Sequence, residues 1–251
     1  MLNYSSRFWL YAPTGLFLIL AAAVMIHWWM VADAFEKKLA ALKGHEAIPS
    51  VTLDWDKIEV EGFPFRLDAN FHNLRISGIA AHGPFSWRSE NFAMHGLTYG
   101  RSQDVYEAAG QQQIGWMDAN SVGHTTSFQS GSMRGSTILD AQGLRRFDLD
   151  IADPGGPDFI LARFQFHIRR GRDGGSLDVM ASIDGLAAGN RKPEHHQLYV
   201  TLTKGAALMP LLRGEISWPE AIRHWRAMGG GEKVSDGSGR QSLAEVLNPL
   251  Y

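Results

Sequence analysis

KIEVEGFPFRLDANFHNLRISG, residues 57–78, decides the fold. From Phe63 to Phe71 every odd position is apolar: Phe63, Phe65, Leu67, Ala69 and Phe71. The even positions are Pro64, Arg66, Asp68, Asn70 and His72. Period two is the pattern of a strand with one buried face and one wet face. The phase slips at His72-Asn73, and Leu74 and Ile76 then carry it on, which a bulge or tight turn accounts for. Pro64 cannot donate to a ladder, so the strand lies at an edge or begins near it. Phe63, Phe65, Leu67 and Phe71 are expected to be buried, with Arg66, Asp68 and Asn70 on a polar surface.

Downstream the theme repeats. Val51-Leu53-Trp55 and Ile58-Val60 alternate, as do Phe85-Trp87, Phe92-Met94 and Leu97-Tyr99. Gln111 to Met117, Met133 to Leu139 and Phe147-Leu149-Ile151 follow. Longer runs are Ile160-Ala162-Phe164-Phe166-Ile168, Leu177-Val179-Ala181-Ile183 and Leu198-Val200-Leu202. Turn clusters separate them at Gly83-Pro84, 153–157, 171–175 and 189–193. Many short strands joined by turns predict an antiparallel architecture. One helix stands out: Ser217-Trp218-Pro219-Glu220 has the form of a capped start. Ala221, Ile222, Trp225 and Met228 then form an apolar stripe, closed by Gly229-Gly230-Gly231. Leu208 to Leu212 is a short helix or turn, Ser235 to Arg240 a loop, and Leu243 to Leu247 a last short helix capped by Ser242. The expected fold is mainly β. An N-terminal transmembrane helix precedes a large antiparallel, curved sheet (groove, sandwich or open barrel) with one or two short C-terminal helices.

Upstream, Phe8 to Ala32 is a 25-residue run without Asp, Glu, Lys or Arg. About 20 such residues span a bilayer. Trp9 and Tyr11 mark one end and Trp28-Trp29 the other, where aromatic belts lie. Ala32-Asp33-Ala34 formally matches a signal-peptide cleavage site, but the run is long for an h-region and the tryptophans are atypical there, so an uncleaved anchor is the reading taken. The implied organisation is a short tail at 1–7, the anchor at 8–32, a helical spacer at 33–44 and a β domain at 45–251. Lys37, Lys38 and Lys43 follow the anchor, but long domains translocate largely regardless of charge. The expectation is a single-pass inner-membrane protein with its C-terminal domain in the periplasm.

The chain's 251 residues carry a net charge of −2, which argues against nucleic acid as a partner. Without cysteine there is no disulfide, thiol nucleophile or thiolate metal site. Eight Trp and thirteen Phe suit a β core, a membrane interface or an apolar ligand site. Gly131-Ser132-Met133-Arg134-Gly135 has the glycines of a nucleophile elbow but methionine at the serine position. His195 and His196 point to opposite faces of a strand, a poor chelate. Asp54-Asp56-Glu59-Glu61 and Asp148-Asp150 line wet strand faces. No catalytic residue, metal ligand or cofactor is assigned, and the expectation is a protein that is not an enzyme.

Tyr11-Ala12-Pro13, Asp54-Trp55, Gly62-Phe63-Pro64-Phe65-Arg66, Asn73-Leu74-Arg75, Tyr99-Gly100 and the closing Leu247-Asn248-Pro249-Leu250-Tyr251 carry a resemblance over nearly the whole chain. In them the chain resembles domain-of-unknown-function family 2125, membrane-anchored envelope proteins found mainly in alphaproteobacteria. The resemblance implies membrane attachment and no particular activity. It also implies a β segment after Gly231, where this chain looks short. More distantly, one helix followed by long amphipathic strands is similar to AsmA-like envelope proteins, which implies an open β groove handling lipid.

Three functions remain open on the residues. A β groove could bind or shield membrane lipid or another apolar ligand. A scaffold could bind another envelope protein. A membrane-bound hydrolase is disfavoured by the motifs. For the groove, the candidate wall is Phe164, Phe166 and Ile168, with Arg169 and Arg170 at the rim to meet an anionic head group.

Overall fold

The computed structural model describes residues 6–80, 82–97, 103–157, 159–186 and 194–234. The expected loop after Val234, the last short helix, Tyr99-Gly100 and the 189–193 turn lie outside the described residues. The chain opens with helix α1 (Ser6–Leu42). It unites the anchor and spacer in one continuous element, with Pro13 in its early turns. One part of it, Tyr11–Leu42, is long and apolar enough to cross a membrane.

The strands are β1 (Glu46–Ile48), β2 (Val51–Asp54), β3 (Lys57–Glu61), β4 (Arg66–Ala80), β5 (Gly83–Leu97), β6 (Gln103–Met117), β7 (Gly123–Gln129), β8 (Ser132–Asp140), β9 (Gly143–Ala152), β10 (Arg163–Arg170), β11 (Leu177–Leu186), β12 (Glu194–Thr203) and β13 (Gly231–Val234). Among the described residues they form one open antiparallel sheet, ordered β1-β2-β4-β5-β6-β8-β9-β10-β11-β12-β13. β3 shares the outer edge of β4 with β2, and β7 shares an edge of β6 with β8. A short 3₁₀ turn (Gly205–Leu208), α2 (Met209–Leu212) and α3 (Trp218–Ala227) separate β12 from β13. Ser217 precedes α3 in extended conformation but makes no side-chain cap bond; Pro219 sits in the first turn. β13 begins at Gly231 and pairs with β12.

The alternation in β4 holds where the backbone is extended. Leu67 and Phe71 are 6% exposed and Ala69 is fully buried. Phe63 and Phe65, expected in the core, are instead 51% and 56% exposed. The reason is local. Gly62 has φ 101 and Arg66 N–H donates to Gly62 O at 2.9 Å, so residues 62–66 form a turn and the strand starts at Arg66. A Cβ on Gly62 would lie 2.9 Å from the Arg66 carbonyl carbon and oxygen, so the turn needs glycine. Asn73 has φ 52, a left-handed residue that puts Phe71 and Leu74 on one face and produces the phase slip.

Helices cover the apolar face at its two ends. Trp28, Ala32, Phe35, Leu39 and Leu42 recur every three or four residues on α1 and are its inward stripe. Phe35, Leu39 and Leu42 pack on Trp55, Ala69, Phe71 and Leu74, together with Trp87, Phe92 and Met94. The segment read as a helical spacer thus packs one face on the sheet. At the other end Ala221 and Trp225 of α3 join Leu208 and Met209 over Leu177, with Ile168 and Leu202 alongside. Trp225 Nε1 donates to Thr203 O at 2.7 Å. α3 also touches β4, and a Cβ on Gly214, before α3, would meet Ile48 of β1 at 2.4 Å. The sheet curls until its two ends meet through the helices, and its apolar face lies on the inside.

Candidate functional site

Register determines which side chains share this inner face. The antiparallel partners Met94, Tyr106, Gly135, Leu149, Phe166, Ala181 and Leu198 form one row across β5, β6 and β8 to β12. Phe92, Ala108, Met133, Ile151, Phe164 and Ile183 form the next. Directly paired residues in neighbouring strands point the same way. The rows thus run from the α1-covered end, through Phe92 and Met94, to strands near the α3-covered end.

Between the ends Ala108 and Ile151 are buried, but their larger neighbours keep partial exposure. Tyr106, Met133, Leu149, Phe164 and Phe166 are each half-buried. Ring contacts run along this face: Trp87 on Phe92 at 5.7 Å, Phe92 on Tyr106 at 6.2 Å, and Phe147 on Phe166 at 6.3 Å. Tyr106 keeps a polar end: Thr137 Oγ1 donates to its Oη at 3.1 Å, and burial pushes the phenol above its usual range. Gly135 leaves room beside the tyrosine ring; a Cβ there would lie 3.5 Å from it. The wall is thus aromatic and aliphatic, with the Tyr106 hydroxyl as a polar atom within it.

The wall residues expected from sequence fall as follows. Phe164, Phe166 and Ile168 lie together on the inner face, with Ile168 packed against the α3 cluster. Arg169 points to the opposite, outer face, where it pairs with Asp178 at 3.2 Å. Arg170 is on the inner side but its side chain is only 10% exposed. Its guanidinium is occupied by both oxygens of Asp140 at 2.9 and 3.1 Å, by Gln142 Oε1 and by Leu144 O. The three apolar residues come together; the two arginines are separated by strand alternation, and each already has a carboxylate. Tyr106, Met133, Phe147 and Leu149 belong to the same wall and were not singled out from sequence.

The outer face carries the charges, stitched across strands. Asp68 meets His95 at 2.8 Å and Arg66 at 3.0 Å; Arg163 forks onto Asp150; Arg75 bridges Asp54 and Asp56. His195 pairs with Asp184. Asp148 binds His167 at 2.6 Å and Arg146 at 2.6 Å. Its partial burial works to raise its pKa, but these two hydrogen bonds outweigh it and hold the carboxyl below the usual range. Ser136 Oγ donates to Asp148, 3.5 Å away, so the hydroxyl is engaged with the carboxylate rather than the imidazole it would need as a nucleophile. Among the described residues no group of three His, Asp or Glu is placed to hold a metal. A depression of about 370 Å³ is lined by Glu59, Glu61, Asn70 and Glu107 together with Phe71 and Phe92.

Neither the curated proteins nor the solved structures contain a match to this chain. The family model described as "Uncharacterized protein conserved in bacteria (DUF2125)" matches residues 28–238, from Trp28 at the end of the apolar run to beyond β13, and the chain belongs to that family.

Proposed function

We propose that the protein is a non-enzymatic, membrane-anchored envelope protein whose curled sheet holds the acyl chain of a membrane lipid against its inner face. In this reading α1 spans the inner membrane once and the sheet stands in the periplasm. The observation that carries the proposal is the half-buried middle of the inner face, where Tyr106, Met133, Leu149, Phe164 and Phe166 keep some exposure between two helix-covered ends. An apolar surface of that kind favours an apolar occupant over water. The stripe of α1 from Trp28 to Leu42 packs on one end of that face, so the membrane-spanning part of the helix leads directly to the sheet. Arg170 is neutralised by Asp140, so the chain rather than an anionic head group carries the affinity.

The test is mass spectrometry of lipids retained after the protein is extracted into amphipol. The expected result is a stoichiometric acyl lipid in the wild type and its loss from Phe166→Asn. A wild type that carries no lipid and does not retain a fluorescent fatty acid would end this reading.

A further inference from the structure

We infer that the Gly62–Arg66 turn is a second membrane contact, seated in the head-group boundary of the same bilayer that α1 crosses. The inference rests on α1 spanning the membrane, but not on the groove being occupied.

Depth follows from helix geometry. Tyr11 to Trp28 is 17 steps along α1. At about 1.5 Å per residue that is about 26 Å, close to the roughly 30 Å hydrocarbon core. Tyr11 and Trp28 therefore fall near the two interfaces, where aromatic residues settle. Trp28 is tied to the turn twice. Its Nε1 donates to Arg66 O at 2.9 Å, and its ring meets Phe63 edge-on at 5.6 Å. The turn is thereby held at the depth of the tryptophan.

What the turn presents suits that depth. Phe63 and Phe65 are both more than half exposed, although Leu67, Ala69 and Phe71 just after them are buried. Leu97, the partner of Arg66 on β5, is 43% exposed at the same end of the sheet. Two phenylalanines at one tight turn are a surface that water disfavours and a bilayer interface accepts. Arg66, exposed beside them and held by Asp68, can meet lipid phosphate as the rings enter. The consequence is orientation: the amino end of β4 stands on the membrane and the β4–β5 hairpin points away.

The chain has no cysteine, so single cysteines can be labelled one at a time. Full-length Phe65→Cys, Ile79→Cys and Leu20→Cys are labelled with bimane in phosphatidylcholine/phosphatidylglycerol vesicles. Each is then quenched by lipids carrying a nitroxide at a shallow or a deep acyl position. Ile79 is 53% exposed and lies near the far end of β4; Leu20 lies mid-span on α1. The expected result is strong deep quenching at position 20, shallow quenching at 65, and several-fold weaker quenching at 79. Quenching at 20 with none at 65 overturns the second contact while leaving the anchor standing. Equal quenching at 65 and 79 also overturns it, because the sheet would then lie flat. Absence of quenching at 20 removes the anchor and this inference with it. Should Phe65→Cys lose its β circular dichroism, Leu97→Cys carries the same test.

Discussion

Phe71 and Phe65 are six residues apart on one alternating stretch, yet they have opposite environments. Phe71 sits between Trp55 and Phe92, with ring centroids at 5.3 and 6.0 Å. Phe71→Ala is expected to cost about 3–5 kcal/mol, the range for removing a packed ring. Phe65→Ala is expected to cost much less, because more than half of that ring already faces water. Thermal unfolding of both variants in amphipol checks the pair; equal losses would show that the turn is packed. Alternation in sequence predicts a face only while the backbone is extended, which is why Leu67 to Phe71 were legible and Phe63 and Phe65 were not. The glycine and proline that bend the chain at 62–64 were visible as letters, but their joint geometry was not. Asn73 is the complementary case, since its slip was legible and its left-handed φ of 52 supplies the cause. It also donates to Asp56 and accepts from Arg88. Asn73→Gly and Asn73→Val both lose those bonds, but only valine meets the left-handed penalty. Asn73→Val is expected to be the less stable by a further 1–2 kcal/mol or so, again read by thermal unfolding.

At the level of elements, β9 shows how the outer face is held together. Asp148 and Asp150 stand two residues apart and reach across to β10, through His167 and Arg163 respectively. Hydrogen bonding from Arg163 holds Asp150, like Asp148, below the ordinary carboxylate value. A carboxylate with a lowered folded-state pKa leaves the unfolded chain binding more protons in the acid range. Its stabilisation is therefore complete above the ordinary pKa of about 3.9 and is lost as pH falls below it. Asp148→Asn is expected to be less stable at pH 7 and to show a shallower loss of stability below about pH 4 than the wild type. Acid titration followed by circular dichroism gives both slopes; parallel slopes would mean that Asp148 is not coupled to folding. The i, i+2 spacing made the wet face legible, but the partners were not, because cross-strand pairing depends on register and not on local sequence. The same limit applies to α1. Its apolar centre is legible as a helix long enough to cross a membrane, whereas the stripe from Trp28 to Leu42 acquires meaning only once β4 and β5 are in place beneath it.

Across the whole molecule, the strand-rich antiparallel class was readable from alternation and turns, whereas the choice among groove, sandwich and open barrel was not. That choice depends on which strands are neighbours and on what covers their apolar side. β2 and β3 sharing one edge of β4, and β7 and β8 one edge of β6, are long-range outcomes. So is the curl that brings α3 to β4. Phe164, Phe166 and Ile168 could be found as one strand face, but Tyr106, Met133 and Leu149 joined them only through the register. A self-packed core and a lipid-filled groove respond differently to ligand and to mutation. A ligand that binds only the folded state stabilises it by about 2.7 kcal/mol at a hundred times its dissociation constant. In amphipol, where no free detergent competes, a saturating long-chain fatty acid is therefore expected to raise Tm by several degrees. Phe166→Asn places an amide on a partly exposed wall, so it is expected to cost well below the several kcal/mol of a fully buried, unpaired one. The same variant is expected to abolish most of the ligand-dependent shift, while Asp178→Asn on the outer face leaves the shift intact. If Phe166→Asn unfolds the chain and the wild type shows no shift with any acyl ligand, the inner face is a packed core and the groove is excluded.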